Sequence, residues 1–353
     1  MNASSYLLGM DNNNKNLPRK KPIIGITVGD INGVGPEVII KALSDNRIIN
    51  YITPVIYGST KIISYYRKNL GMEDFNYSQV KNNYLNPKKI NVVNCWEEVI
   101  EINAGTTDKN AGKYALLALE SASKDYLENR IDAIVTGPIN KKTIQSDEFN
   151  FPGQTEYIAS KGGDKDSLMM MVGENIKVAL VTTHMPVKSI AGHITKNAVS
   201  SKLKIFMSSL KKDFGISKPK IAVLALNPHA GDGGLLGTEE NEIIAPVIED
   251  FKTKGNLIYG PYPSDGFFGA SQYKNFDGTL AMYHDQGLIA FKSLSFEDGV
   301  NYSAGLKIIR TSPDHGTAYN LAGKNLASEI SMRTAIFLAK DIYYQRYPET
   351  LME

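Results

Sequence analysis

Short apolar runs rich in β-branched residues alternate along the chain with longer segments of helical periodicity. The runs that predict buried strands are Ile23–Val28, Pro54–Tyr57, Ile90–Val93, Ile131–Thr136, Val178–Thr182, Ile221–Leu226, Leu280–Tyr283 and Leu306–Ile309. Between them, apolar residues recur every three or four positions, as at Ala115, Leu119, Ala122 and Tyr126. Because strands that are apolar throughout are covered by helices on both faces, the pattern predicts an α/β fold with a largely parallel sheet.

Length and charge narrow the class of protein. The chain has 353 residues, with 39 Lys and Arg against 37 Asp and Glu, so its net charge is only +2. At about 150 residues per domain, two domains are expected. The balanced charge argues against a nucleic-acid partner, and the absence of a long apolar stretch argues against a membrane-spanning helix. The polar, Asn-rich residues 1–21 predict a disordered tail without the features of a signal peptide. The single Cys95 favours a reducing, cytoplasmic compartment.

Three of the five histidines directly follow predicted strands: His184, His229 and His284. Their spacing is far too long for a zinc finger, but it is natural for strand ends that meet at one edge of a sheet. Imidazole nitrogen is a common metal ligand, and three protein ligands with one open position are typical of catalytic zinc. Asp232 and Asp285 could add a ligand or orient a ring. Each histidine taken alone is more readily explained as a polar residue at a strand end, but that explanation weakens considerably for the three together.

Two further groups of polar residues suit an anionic ligand. Gln154 and Thr155 begin a predicted helix, and Lys292, Asn301 and Arg310 bring two cations and an amide into a short span. These two groups of residues indicate that the ligand is a phosphorylated or carboxylated small molecule.

The glycine-rich segments GDINGVGPE (29–37) and GDGGLLGTEE (231–240) match neither the G-x-G-x-x-G fingerprint nor a P-loop. As far as glycine spacing goes, they are equally compatible with tight turns.

Seven segments taken in order resemble the 4-hydroxythreonine-4-phosphate dehydrogenase family of the pyridoxine phosphate pathway. They are GDINGVGPE, TGPINK, GQTE, TTHMP, NPHAGDGGLLGTEE, MYHDQG and IRTSPDHGTA, and the resemblance runs from about Ile23 to Ser328. It implies two α/β/α domains around a cleft, similar to isocitrate and isopropylmalate dehydrogenases, with residues 22–155 plus 300–353 in the first domain and 156–299 in the second. It also implies a homodimer whose active site lies at the subunit interface.

The same resemblance implies roles for individual residues. The metal ligands fall on His184, His229 and His284, the substrate contacts on Gln154, Thr155, Lys292, Asn301 and Arg310, and the cofactor loop on Asp314, His315, Gly316 and Thr317. NAD or NADP and one divalent ion, Zn, Mg or Co, are the implied cofactors. One position departs from the family, which usually has His where this chain has Gln154. Glutamine donates hydrogen bonds but carries no charge at neutral pH.

The implied reaction oxidises the C3 hydroxyl of 4-phosphooxy-L-threonine, with hydride passing to NAD(P)+, and loss of CO2 then gives 3-amino-2-oxopropyl phosphate. Asp285 and Lys141 are both candidates for proton transfer. Three alternatives remain open: a related dehydrogenase of 4-phospho-D-threonate or 4-phospho-D-erythronate, a three-histidine phosphoester hydrolase, and a non-catalytic binding protein on the same fold.

Overall fold

The computed structural model describes residues 20–164 and 166–351. The predicted disordered tail, residues 1–21, therefore lies outside the described residues except for Lys20 and Lys21. Lys21 directly precedes the first strands of the fold, and its ammonium group donates a hydrogen bond to the carbonyl of Pro87.

Twelve strands within the described residues join one sheet. They are β1 (Ile23–Thr27), β2 (Thr53–Gly58), β3 (Tyr77–Gln79), β4 (Ile90–Asn94), β5 (Ala133–Thr136), β6 (Leu168–Val172), β7 (Lys177–Leu180), β8 (Lys220–Leu224), β9 (Leu257–Tyr262), β10 (Gly278–Ala281), β11 (Val300–Ala304) and β12 (Arg310–Pro313). Their order across the sheet is β3-β4-β2-β1-β5-β12-β11-β6-β7-β10-β8-β9.

Helices connect most of these strands. They are α1 (Gly35–Leu43), α2 (Thr60–Asn69), α3 (Lys109–Leu127), α4 (Gln154–Gly162), α5 (Ile190–His193), α6 (Lys196–Lys212), α7 (Ala245–Thr253), α8 (Ser264–Gly269), α9 (His284–Leu294) and α10 (Ile330–Arg346). Short 3-10 helices span Asn46–Asn50, Val187–Ser189, Gln272–Asn275 and Pro348–Leu351, and a π-helical turn spans Glu240–Ile244. Pro228–Gly234 forms a turn whose backbone is left-handed from His229 onward. Among the described helices, none has the length and apolar composition that crossing a membrane requires.

The predicted α/β fold with a largely parallel sheet is confirmed. Every residue of β1, β2, β5 and β10 is buried, as expected for strands covered by helices on both faces. The exceptions to parallel pairing lie in the middle, where β11 runs antiparallel to both β12 and β6, and β6 runs antiparallel to β7. The C-terminal strands β11 and β12 thus complete the sheet between β5 and β6. The division into residues 22–155 plus 300–353 and 156–299 stays a prediction.

One predicted strand, Leu306–Ile309, is wrong. Its apolar side chains are buried, but the segment connects β11 to β12 after Gly305 turns the chain with φ +84°. The backbone groups of Lys307 bond to side chains: its N donates to Asp164, and its O accepts from Arg346. Only the last residue, Ile309, accepts a backbone hydrogen bond from the neighbouring strand β5, from Ile134 N at 2.9 Å, just before β12 begins. An apolar run reports burial, and burial alone does not distinguish a strand from a packed connection.

Candidate active site

A cleft with a cavity volume of about 500 Å³ gathers most of the predicted site residues. Its lining includes Lys141, His184, His284, Asp285, Lys292, Asn301, Asp314, His315 and Gly316, together with the apolar side chains Met169, Leu288, Ile289 and Pro313. Polar groups from distant parts of the chain thus converge beside an apolar wall, which is the usual composition of a small-molecule site. The predicted residues His229, Gln154, Thr155, Arg310 and Thr317 do not line this cleft.

The strand topology brings His184 and His284 together. β10 lies between β7 and β8 and is parallel to both, so the three histidine-bearing loops leave the same edge of the sheet, as predicted. His184 follows β7 by four residues, and His284 is the first residue of α9, three residues after β10. Their ring centroids are 5.5 Å apart.

The surroundings of His184 favour the neutral ring. Burial lowers the pKa of His184, and the positive charges of Lys141 and His284 lower it further. Lys141 Nζ lies 3.5 Å from His184 Nε2. A neutral imidazole has a free nitrogen lone pair, which is the form that binds a metal ion or accepts a proton.

The ring of His284 is oriented by its neighbour in sequence. His284 Nδ1 lies 2.7 Å from Asp285 Oδ1, so Nδ1 carries the proton and donates it to the carboxylate. This leaves His284 Nε2 as the nitrogen available to a ligand, the arrangement found for metal-binding histidines paired with a carboxylate.

The third histidine, His229, is exposed and lies outside the cleft. β8 ends at Leu224, and the chain then continues to Pro228 before a turn in which His229 itself has φ +53°. In the described part of one chain, no group of three or more His, Cys, Asp or Glu side chains is arranged to hold a metal ion.

The lining of the cleft also includes Lys292, Asn301 and the segment Asp314–Gly316. Lys292 Nζ lies 3.4 Å from Asp314 Oδ2. Burial raises the pKa of Asp314, although Lys292 acts against that rise. His315 Nδ1 lies 3.0 Å from Gly316 O, which leaves Nε2 as a buried acceptor. Neither His315 Nε2 nor Asn301 Oδ1 has a hydrogen-bond partner among the described residues.

Thr317 lies at a junction of two of the sequence motifs. Its carbonyl accepts a hydrogen bond from Val34 N at 2.9 Å. A Cβ at Gly33 would come within 2.9 Å of the same carbonyl, so this close approach requires glycine. The adjacent Tyr319 donates to Asp30 at 2.7 Å. The glycine-rich segment after β1 therefore packs against the Asp314–Thr317 loop and helps to fix its position.

Arg310 forms a buried cationic centre beside the cleft. It is 4% exposed, and its guanidinium donates to the hydroxyl groups of Thr136, Thr155 and Ser303 at 2.6 to 3.2 Å. Burial lowers the pKa of Arg310 to about 10, so the group still carries its charge at neutral pH. Since hydroxyl groups do not neutralise a cation, the cluster is suited to an anion.

Gln154 is held in one orientation. Its Nε2 donates to Gly137 O at 3.1 Å, while Oε1 is buried without a hydrogen-bond partner among the described residues. The side chain is 8% exposed and lies next to Thr155, which accepts from Arg310. A buried acceptor without a partner is costly unless a ligand supplies a donor.

The sequence did not single out three residues that shape the site. Thr136 and Ser303 hold Arg310, and Gln286 accepts from Met282 N and donates to Ala225 O, which ties the loop before α9 to the end of β8. Thr136 could have been identified from the sequence, because it is the last residue of a predicted strand. Gln286 lies in the segment MYHDQG, although nothing in that segment indicated its own role. Ser303 gave no signal, because it meets Arg310 only through the pairing of β11 with β12.

The chain was compared with known proteins. The family model described as pyridoxal phosphate biosynthetic protein PdxA matches residues 50–339. A 4-hydroxythreonine-4-phosphate dehydrogenase from Bacteroides thetaiotaomicron is 55% identical over 92% of this chain and 90% of the relative. A putative D-threonate 4-phosphate dehydrogenase from Cutibacterium acnes is 36% identical over 91% of this chain and 94% of the relative. A crystal structure of 4-hydroxythreonine-4-phosphate dehydrogenase from Klebsiella pneumoniae matches with a TM-score of 0.78 and 33% identity, covering 92% of this chain and 99% of that one.

Proposed function

The chain belongs to the PdxA family of pyridoxal phosphate biosynthetic proteins, and from this premise we propose that it oxidises 4-phosphooxy-L-threonine at C3 with NAD+ or NADP+. Decarboxylation of the product then yields 3-amino-2-oxopropyl phosphate. The observation that carries the proposal is the cleft in which His184 and His284, with ring centroids 5.5 Å apart, face the same space as Lys292 and Asn301. The reaction places the enzyme in pyridoxine phosphate biosynthesis, and the single cysteine supports a cytoplasmic setting.

The donor atoms in the cleft fit a divalent ion in part. His184 and His284 offer two imidazole nitrogens, and such donors suit Zn²⁺ or Co²⁺ better than Mg²⁺. We assign the third ligand to His229 of a second copy of the chain, since His229 does not line the cleft of its own protomer. The proposed enzyme is therefore a homodimer. When bound, the ion supplies Lewis acidity toward the substrate hydroxyl and the carbonyl that replaces it.

The chain's own side chains bind and orient the substrate. Arg310 and Thr155 hold the phosphate, while Lys292 and Asn301 hold the carboxylate, so that C3 faces the two histidines. The buried acceptor of Asn301 gains a donor when the substrate's amino group arrives.

Of the two candidates for proton transfer, Lys141 is better placed, because its Nζ lies 3.5 Å from His184 Nε2 inside the cleft. The carboxylate of Asp285 is instead engaged by His284 Nδ1 and mostly exposed. Lys141 is the group that we expect to move a proton at the reacting carbon or oxygen. Asp285 then fixes the ring of His284.

The loop Asp314–Thr317 borders the cleft and is the proposed nicotinamide dinucleotide contact. Asp314, His315 and Gly316 line the cavity, and Thr317 fixes the loop against the segment after β1. Nothing in this arrangement selects between NAD+ and NADP+, so both belong in the assay.

One comparison tests the proposed function. The purified protein is given 4-phosphooxy-L-threonine, 4-phospho-D-threonate or 4-phospho-D-erythronate, each with NAD+ or NADP+ and with Zn²⁺, Co²⁺ or Mg²⁺. We expect absorbance of the reduced nicotinamide to rise with the hydroxythreonine phosphate and only when a divalent ion is present. Release of inorganic phosphate without nicotinamide reduction would identify a hydrolase instead, and ligand binding without either product would identify a binding protein.

The phospho-threonate or phospho-erythronate dehydrogenase is the second candidate. The 36% identical relative named putative D-threonate 4-phosphate dehydrogenase supports it. The uncharged Gln154 is compatible with it, because the side chain's buried Oε1 can accept from a hydroxyl group as well as from an amine. A higher kcat/KM for either aldonate phosphate than for 4-phosphooxy-L-threonine would establish this alternative.

A further inference from the structure

Glu240 is a buried carboxylate that lies under the loop carrying His229. We infer that Glu240 is a positioning residue, which holds His229 in the conformation that it needs in order to bind a divalent ion. The inference rests on the proposed function, because it takes His229 as a metal ligand. Its evidence is the contact set of Glu240 and the backbone conformation of the loop.

The contacts of Glu240 join it to the beginning of the loop. Its side chain is 2% exposed, and Oε1 accepts hydrogen bonds from Leu226 N and Asn227 N, both at 2.8 Å. Oε2 accepts from Asn227 Nδ2 at 3.0 Å. Glu239 accepts from the same Asn227 amide at 2.7 Å. The carboxylate therefore fixes the two residues that leave β8 just before His229.

The loop that follows has an unfavourable backbone conformation. Six consecutive residues, 229 to 234, have positive φ values of 53°, 52°, 78°, 44°, 67° and 109°. Of these, His229, Ala230 and Asp232 are not glycine, and non-glycine residues rarely adopt a left-handed conformation. Such a conformation persists only where the surrounding structure imposes it.

Glu240 supplies that constraint from directly beneath the turn. A Cβ placed on Gly231 would come within 2.7 Å of Glu240 Oε2, so the carboxylate and the turn are in close contact. Burial opposes ionisation of Glu240, but hydrogen bonds from Asn227 and Leu226 outweigh it and hold the pKa of the carboxyl below its ordinary value. Glu240 also begins the π-helical turn Glu240–Ile244, an irregularity often found beside functional sites.

The alternative is that Glu240 only stabilises the fold. The two roles differ in what a substitution changes. A purely stabilising residue would alter the unfolding temperature and leave metal affinity in the folded protein unchanged. A positioning residue would weaken the metal site in protein that is still folded.

The experiment compares Glu240→Ala and Glu240→Gln with Glu242→Ala and Glu242→Gln. Glu242 lies in the same π-helical turn but is exposed, so it is the matched control. Cobalt affinity is measured by calorimetry on the full-length, metal-free protein, below the unfolding midpoint of each variant. Backbone hydrogen exchange of residues 226–237 is measured in parallel.

We expect Glu240→Ala to weaken cobalt binding about 10- to 100-fold, the usual effect of removing a residue that orients a metal ligand. Glu240→Gln should lose less, because its amide oxygen can still accept from Leu226 N and Asn227 N. Backbone hydrogen exchange in residues 226–237 should be slowest in the wild type, faster in Glu240→Gln and fastest in Glu240→Ala. Both Glu242 variants should match the wild type in affinity and exchange.

Unchanged cobalt affinity in folded Glu240→Ala would overturn the inference, and so would a wild-type protein that binds no divalent ion. If Glu240→Ala does not fold, Glu240→Gln decides, since it must still show weaker cobalt binding than Glu242→Gln. The proposed reaction can fail independently of this inference. If the wild type binds cobalt but reduces no nicotinamide, the proposed reaction is wrong, and the cobalt affinities of the Glu240 variants still decide the role of Glu240.

Discussion

Arg310 donates two hydrogen bonds to the same hydroxyl oxygen, Thr136 Oγ1, from Nε at 3.1 Å and from Nη2 at 2.6 Å. The two residues lie on adjacent parallel strands, β12 and β5, whose pairing sets the distance between them. The contact fixes the plane of the guanidinium, while Nη1 faces Thr155 and Ser303. The buried guanidinium is thus oriented by uncharged hydroxyl groups, and its positive charge is available to an anionic ligand.

Replacing Arg310 by Gln should raise the KM for the phosphorylated substrate at least about tenfold, because a hydrogen bond to a charged group contributes about 1.5–3 kcal/mol. Arg310→Lys should recover only part of the loss, since an ammonium lacks the planar fork of donors. Steady-state kinetics separate KM from kcat. The exposed Arg47 provides the control, and Arg47→Gln should keep the wild-type KM. A wild-type KM in Arg310→Gln would place the phosphate elsewhere.

The paired rings give a second prediction. His184→Ala and His284→Ala should each abolish cobalt binding at micromolar concentrations and reduce turnover to background, since either change removes one of two adjacent imidazoles. His193→Ala is the control, because that ring is exposed and bonds to Ser189 O at 2.7 Å. A chelator should reproduce the loss of turnover in the wild type, and added cobalt should reverse it. Full activity in the metal-free protein would contradict the metal assignment.

The sequence predicted which strand ends carry the histidines, but not which rings meet. The positions of β7, β8 and β10 follow from local apolar runs. Because these strands are parallel neighbours, the loops that follow them lie at the same edge of the sheet. The conformation of His229 depends on the left-handed turn after Pro228 and on the contacts of Glu240 with the residues just before that turn. Those contacts bring together residues 13 or more positions apart, and no local pattern reports them.

The antiparallel strands at the centre of the sheet could not be predicted from hydrophobic periodicity either. β11 contains Asn301, Tyr302 and Ser303, whose polar atoms break the apolar pattern of a buried strand. Each polar group is used by the fold or the site: Tyr302 donates to Asp213, and Ser303 accepts from Arg310. The apolar segment Leu306–Ile309 gave the stronger strand signal although it is a connection. Where a strand forms part of a site, its sequence is selected for chemistry as well as for burial.

A histidine at position 154 should change the pH dependence of KM from that of the wild type. Gln154→His places an ionisable ring beside the Thr155 and Arg310 anion site, with an unperturbed pKa near 6.5. The imidazolium form attracts phosphate, and burial together with the charge of Arg310 should lower the pKa of the ring from its ordinary value, so the KM of the variant should fall as the pH is lowered below about 6.5. KM profiles for the three phosphorylated substrates should be measured between pH 5.5 and 8.5, with the wild type as reference. Parallel profiles for both proteins would show that residue 154 does not face the anion.

The buried ion pair between Arg346 and Asp213 should dominate the stability of the C-terminal helix. Arg346 Nε lies 2.7 Å from Asp213 Oδ1, and their side chains are only 4% and 3% exposed. Tyr302 and Ser209 also donate to this carboxylate. Arg346→Met leaves a buried carboxylate without its cation and should cost about 3–5 kcal/mol in the free energy of unfolding.

Urea unfolding measures that cost. The control is Lys254→Met, which breaks the exposed pair of Lys254 and Asp250 and should cost no more than about 0.5 kcal/mol. Similar unfolding free energies for the two variants would mean that the remaining partners of Asp213 compensate for the lost guanidinium.

Cys95 should make the protein less stable in alkali. Burial raises the pKa of the Cys95 thiol from 9.0 to about 12. The folded state therefore keeps its proton while the unfolded chain loses it, so this stability is fully present below pH 9 and declines as the pH rises through 9 toward 12. In Cys95→Ala, the unfolding midpoint in urea should fall less between pH 8.5 and 10 than in the wild type. Iodoacetamide should accordingly alkylate Cys95 slowly in native protein at pH 8.5 and rapidly in urea, and fast alkylation of the native protein would contradict the raised pKa.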